Sequence, residues 1–306
     1  MTLNNMFGIT FALLSGVTNA LGAILQKSAV NRIIARSQSG SFTAQFVRDP
    51  IWIAGLVISM GFGTILNLSA QSRIGPALVP GLAACSMVVL ALGSTRLLGE
   101  KLKPTEWIGI LLLVLGIASL GLSKLEIPKN EVNLLNRETQ NRLILFSAAL
   151  VFFWWTSWLL AKRTRNLSRW LIQAVSAGVP FCLSNLWILP MLITIGPVFS
   201  GSARTAELVI FIISCSILVF TNMLGIQQTQ ESYRYAPANK AQPIQQIPTQ
   251  IVPILIYLIV FQRVIAGASL ILVPMGVSLI LAGGTLLAQR KRDMNREDGK
   301  TSKETM

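Results

Sequence analysis

Histidine is absent from the 306-residue sequence, and aspartate and glutamate together number only 12. Without histidine the usual Ser-His-Asp triad is impossible and the commonest general acid–base group is missing. The acids fall in polar stretches, at the ends of apolar runs or in the C-terminal segment, so paired-carboxylate and metal-assisted catalysis have no candidate residues. No glycine-rich phosphate loop follows a strand pattern. Cys85, Cys182 and Cys215 lie inside apolar runs without metal-ligand spacing, where thiols read as packing residues rather than disulfide partners. Charged residues of both signs make up 12% of the chain, against roughly a quarter in an ordinary soluble domain. So little charge cannot cover a water-soluble fold of this size. No enzyme, no cofactor and no resident metal site is expected. A basic segment before Phe7 is lacking too, so the first apolar run reads as a retained span rather than a cleaved signal.

What the chain has instead is apolar length: 52% of its residues are hydrophobic. Runs long enough to cross about 30 Å of hydrocarbon as helices recur at 7–25, 51–68, 76–98, 105–122, 143–160, 171–195, 208–226, 241–260 and 264–288. Transmembrane strands need about ten alternating residues, and these runs are longer and apolar on all sides. The expected fold is all-α, a polytopic transmembrane helix bundle of about nine spans. The net charge of +14 does not imply nucleic acid. Lysines and arginines gather in alternating loops, at Arg32, Arg36 and Arg48, at Arg96, Lys101 and Lys103, at Lys162, Arg163, Arg165 and Arg169, and in the tail from Arg290. That bias predicts an outside N-terminus, a cytoplasmic C-terminus and a plasma (inner) membrane location. Residues 31–50 are too polar to cross and admit a short interfacial helix.

The chain looks duplicated. Arg73-Ile74-Gly75-Pro76-Ala77 matches Arg234-Tyr235-Ala236-Pro237-Ala238 without gaps, 161 residues later. Both copies follow a span ending in polar amides, Asn67 and Gln71 in one, Asn222, Gln227 and Gln228 in the other. The two would insert with opposite orientation, as in the inverted repeats of secondary transporters, whose sites lie near midplane at the repeat interface. This divides the chain into a first repeat of four spans at 1–123, a linker at 124–142, a second repeat of five spans at 143–289 and a basic tail at 290–306 expected to be disordered.

Polar side chains are costly in hydrocarbon, so their placement is informative. Ser15, Asn19, Gly22 and Gln26 share one face of the first span, as a helix seam or as a cavity lining. In the eighth span Asn239, Gln242, Gln246, Thr249 and Gln250 share a face, with Gln245 at its edge, and a water-filled path explains the run better than interhelical bonding. Pro237, Pro243, Pro248 and Pro253 interrupt the backbone ladder there and free carbonyls able to bind cations or donors. The Asn67–Gln71 segment is expected to share this cavity with Asn19, Gln26, Gln246 and Gln250. Lys27 reads as snorkelling to the interface; Lys240 either snorkels or meets an anionic group of a substrate. Trp154 and Trp158, within an aromatic crowd in mid-span, either pack or line a pocket for an apolar or cationic group.

Leu97-Leu98-Gly99-Glu100-Lys101-Leu102-Lys103-Pro104-Thr105-Glu106-Trp107-Ile108-Gly109, with the glycine-rich span after it, resembles the end of an EamA-like repeat in the drug/metabolite transporter (DMT) superfamily. The Asn67-to-Pro80 segment looks like the same family. The nine-span layout and the Leu14-to-Lys27 segment are most similar to its NIPA-like branch, which includes magnesium transporters. In the second copy Phe261-Gln262-Arg263 stands where that family has its Gly-Glu-Lys turn. From the residues, amides and a lysine without acids favour alternating-access transport of a small polar, zwitterionic or anionic metabolite. The resemblance implies magnesium transport as the alternative; Mg²⁺ keeps several waters and usually wants one or two carboxylates, so amides and carbonyls would hold it only weakly, as a hydrated ion. A lipid-handling or non-transporting assembly protein is a further reading. The partners expected are a small-molecule or ion substrate and the lipid bilayer, with a homodimer as an open expectation.

Overall fold

A computed structural model describes residues 3–36, 42–74, 79–123, 125, 127, 132–164 and 168–304. Among them there is no strand. The chain forms α1 (Leu3–Ala35), a short α2 (Phe42–Arg48), α3 (Pro50–Leu56), which runs through a π-helical turn at Val57–Phe62 into α4 (Gly63–Ile74), α5 (Val79–Ala83), α6 (Cys85–Leu97), α7 (Pro104–Leu122), α8 (Arg137–Arg163), α9 (Ser168–Phe199), α10 (Thr205–Tyr235), α11 (Ala238–Leu255), which ends in a second π-helical turn at Ile256–Val260, and α12 (Ser269–Glu304). Eight helical stretches among the described residues are long and apolar enough to cross a membrane. The third apolar run differs from the expectation of nine full spans. It forms a shorter apolar stretch, Gly81–Leu97, interrupted at Ala84 between α5 and α6. The Gly75-Pro76-Ala77 part of the repeat motif lies outside the described residues.

The short polar connection after α1 contains α2, and Asp49 starts α3. Its carboxylate accepts from the Ile51 and Trp52 N–H groups and pairs with Arg32 at 2.9 Å. An acidic N-cap satisfies donors that the helix itself leaves unpaired.

α1 packs against α3, α4, α5 and α6, and touches α10. Helices in lipid associate through close packing rather than hydrophobic exclusion, so small residues decide where backbones meet. Gly22 and Gly55 mark one such crossing: a Cβ on Gly22 would lie 2.5 Å from the Gly55 carbonyl oxygen. α7 and α12 form another. A Cβ on Gly116 would sit 2.8 Å from the Gly276 oxygen, and one on Gly283 would sit 2.5 Å from the Gly109 oxygen. Ser119 Oγ donates to the Leu272 carbonyl at 2.9 Å, and Ser269 Oγ to the Ser123 carbonyl at 2.7 Å, which extends the antiparallel seam. The largest core cluster gathers Ile24, Leu90, Ile110, Leu113, Tyr233, Ile244, Ile280 and Leu287. Outward-facing Phe152, Phe153 and Trp155 on α8 are exposed, as a lipid-facing surface requires.

Candidate functional site

A cavity of about 410 Å³ lies among the middle turns of α1, α9 and α11, the first π-helical turn, the α5–α6 break and the last third of α10. Its polar lining is uncharged: Asn19, Gln26, Ser59, Ser86, Asn185, Thr229, Gln230, Tyr233, Gln242, Gln245, Gln246, Thr249 and Gln250. Apolar Ala23, Met60, Met87, Ile117, Phe181 and Ile226 complete it. The interrupted helices account for its position. Pro243, Pro248 and Pro253 lie within α11, and the π-helical turn sets Ser59 opposite Gln26.

Amide bonds around the cavity run in one direction. Gln230 Nε2 donates to Gln26 Oε1 at 2.6 Å, Gln26 Nε2 to Ser59 Oγ at 3.3 Å, and Ser59 Oγ to the Gly55 carbonyl at 3.0 Å. On α11, Tyr233 OH donates to Gln242 Oε1 at 3.0 Å, and Thr249 Oγ1 to Gln246 Oε1 at 2.8 Å. The buried oxygens Gln230 Oε1 and Gln245 Oε1 receive no hydrogen bond.

Of the side chains singled out in the sequence, Asn19, Gln26, Gln242, Gln245, Gln246, Thr249 and Gln250 come together on this cavity. Asn239 is buried away from it, and Asn67, Gln71, Trp154, Trp158 and Lys240 also lie elsewhere. Asn67 and Gln71 bond to each other along α4. Gly63 of α4 meets Asn19 and Ile74 meets Gly8, so the antiparallel run carries Asn67 and Gln71 past the cavity toward the start of α1. Trp154 and Trp158 stack at 6.5 Å on α8, which packs mainly on α9, and Lys162 Nζ lies 3.5 Å from the Trp158 ring centre. Lys240 turns away from the cavity and pairs with Glu106 at 2.7 Å. Sequence reading missed Gln230, Asn185, Ser59 and Tyr233. The amides clustered late in α10 were the available signal for Gln230.

The charges around the start of α11 form a separate group. Glu106 is fully buried; Oε1 meets Lys240 and Oε2 accepts the Lys103 N–H at 2.9 Å. Glu100 accepts the Ala238 and Asn239 N–H groups at 2.9 and 3.3 Å, capping the start of α11. Gly99, at φ +67°, makes the turn that presents Glu100. Lys27 does not reach an interface but is buried, donating to the carbonyls of Tyr233 and Ala236 at the end of α10. Among the described residues no three His, Cys, Asp or Glu side chains gather as metal ligands.

The sequence pattern of the family described as magnesium transporter NIPA matches residues 3–294. The chain belongs to this family. NIPA proteins sit within the DMT superfamily, so the likeness carried by residues 97–109 holds at both levels. Among curated NIPA relatives, the probable magnesium transporter NIPA3 of Arabidopsis thaliana is 27% identical over 157 residues, 49% of this chain and 42% of the relative. The probable magnesium transporter NIPA7 of the same plant is 32% identical over 119 residues, 38% of this chain and 36% of the relative. The magnesium transporter NIPA4 of Mus musculus is 28% identical over 113 residues, 36% of this chain and 27% of the relative. The matched part of the chain thus spans less than half the length of these NIPA relatives. No solved structure matches the chain.

Proposed function

We propose that this NIPA-family protein carries Mg²⁺ across a membrane, with the amide-lined cavity as its transport site. Family membership over residues 3–294 carries the reading. The cavity supports it with a lining of neutral amides and hydroxyls, whose oxygens are the kind of hard, uncharged groups that suit Mg²⁺ or its waters. The metabolite reading rested partly on Lys240 as an anion contact, and the Glu106 pair absorbs that charge. Alternating access between two inverted halves is the mechanism we favour. It is supported by the matched Arg73 and Arg234 segments and by the α7–α12 seam. If Gly109 corresponds to Gly276 and Gly116 to Gly283, the contacts Gly109–Gly283 and Gly116–Gly276 exchange under a two-fold operation, as an isologous contact requires. The loop charges further support an outside N-terminus and a cytoplasmic C-terminus.

Purified protein in liposomes loaded with a magnesium-sensitive dye should give saturable Mg²⁺ flux. Absence of flux from folded protein, in both gradient directions, would remove the reading. Single cysteines at Ser39 and Ser302 in a cysteine-free background should resist impermeant label applied to intact cells. Labelling of both from outside would invert the orientation.

A further inference from the structure

The geometry points to Mg²⁺ occupying the cavity with its water shell intact, held through outer-sphere hydrogen bonds to amide oxygens. This inference rests on the proposed magnesium activity. Mg²⁺ sheds water reluctantly and, where it is bound directly, usually takes one or two carboxylates in near-octahedral geometry. This cavity supplies no carboxylate. The nearest acids are engaged elsewhere, Glu100 by the start of α11 and the buried Glu106 by Lys240 and the Lys103 N–H.

The lining instead has a polarity that suits a donor-only guest. A hydrated cation presents O–H groups outward in every direction and no acceptor. The chain Gln230 to Gln26 to Ser59 to the Gly55 carbonyl spends a donor of each amide on the protein. Each donated bond polarises the next, which strengthens the carboxamide oxygen left at the head of the chain. That oxygen, Gln230 Oε1, has no donor, and neither has Gln245 Oε1. Asn19 and Asn185 line the cavity from α1 and α9 without a protein hydrogen-bond partner among the described residues. Uncharged amides therefore line the space from α1, α9, α10 and α11. Gln230 Oε1 and Gln245 Oε1 are themselves buried, so the amides open to a guest include those of Asn185 and Gln250, whose oxygens accept no protein hydrogen bond among the described residues. The space is sufficient: six waters at about 30 Å³ each occupy about 180 Å³, within the 410 Å³ cavity.

Hexaamminecobalt(III) tests the inference, because its six ammonias donate N–H outward and do not exchange. It should block Mg²⁺ flux in liposomes containing the wild-type protein and compete with Mg²⁺ for the purified protein. The variant Asn19→Leu/Asn185→Leu should bind both ions about tenfold more weakly, the scale of one lost hydrogen bond to a charged group, while unfolding at a similar temperature. Asn185→Asp, which keeps the shape, adds charge and breaks no protein hydrogen bond, should bind both more tightly. Mg²⁺ flux that proceeds undisturbed by excess cobalt complex would show that the ion is stripped of water, overturning the inference and sparing the carrier reading. Inhibition of equal strength in the double variant would place the complex outside the cavity and overturn it too. Absence of both Mg²⁺ flux and binding would remove the carrier reading itself.

Discussion

Two buried polar regions share α11, and they are built on different principles. Around its first turn, Lys240 meets Glu106 and the backbone N–H groups meet Glu100, while Lys27 from α1 reaches the carbonyls just before it. About 9 Å further along the axis, six residues at 1.5 Å each, Gln246 stands in a lining that holds no charge. At the charged end the ionised groups meet partners, while the buried Asn239 amide beside them makes no side-chain hydrogen bond among the described residues. Around the cavity the amides are only partly satisfied. The contrast is chemical: charges join helices distant in sequence, and the amides around the cavity are neutral, as the proposed transport site requires.

The comparison breaks most severely at Glu106. Glu106→Ala leaves Lys240 buried without its carboxylate, so a loss of about 3–5 kcal/mol is expected, measured as denaturant unfolding in detergent. Replacing both partners by Leu and Met should recover most of it, since an apolar pair of similar volume is often neutral or better. A Glu106→Ala protein as stable as wild type would deny the charged end its structural role.

Lys27→Met comes next. It removes hydrogen bonds from an ammonium to two carbonyls, a loss of about 1.5–3 kcal/mol, read as a lower unfolding temperature. Mg²⁺ affinity of the folded fraction should stay within about twofold; a larger change would join Lys27 to the site and blur the division between the two regions. Gln246→Leu should show the opposite profile. Stability should move by less than about 1 kcal/mol, since one partly satisfied amide is lost, whereas Mg²⁺ flux in liposomes should fall about tenfold. Normal flux would make the α11 stripe structural. Trp158→Leu should have the smallest effect, about 0.5–1 kcal/mol from the lost stacking with Trp154 and the contact with Lys162, with flux unchanged. Impaired transport there would restore the tryptophans to the site.

Helix class and span positions were legible because an apolar run about 20 residues long has few other uses. Asn19 and Gln26 on α1, and Gln242, Gln246, Thr249 and Gln250 on α11, converge because i, i+3 and i+4 spacing defines a helix face. A face says nothing of depth along the axis, which is why Asn67 and Gln71 fall past the cavity on the same side of the bundle as Asn19. Gln230 escaped notice because Gln227, Gln228 and Gln230 point in different directions around α10 and mark no single face. Glu106 looked like an interfacial residue, since an acid three positions into a helix is an ordinary capping choice. Its partner lies in the other half of the chain, and no local pattern announces a contact that only the tertiary fold makes. The third run was overestimated for a related reason: apolarity gives length, whereas the interruption at Ala84 carries no residue-level mark.

The glycine seam between α7 and α12 limits which movements the protein can make. Packed helices ordinarily slide by exchanging side-chain rotamers, and a crossing made of backbone has none to exchange. Slipping this pair by one helical turn, about 5.4 Å, would set a branched side chain such as Ile280 or Leu113 where a carbonyl now meets a glycine. The pair is therefore resistant to sliding. In the transport cycle proposed above, any tilting of the helices bordering the cavity would turn about that line rather than travel along it.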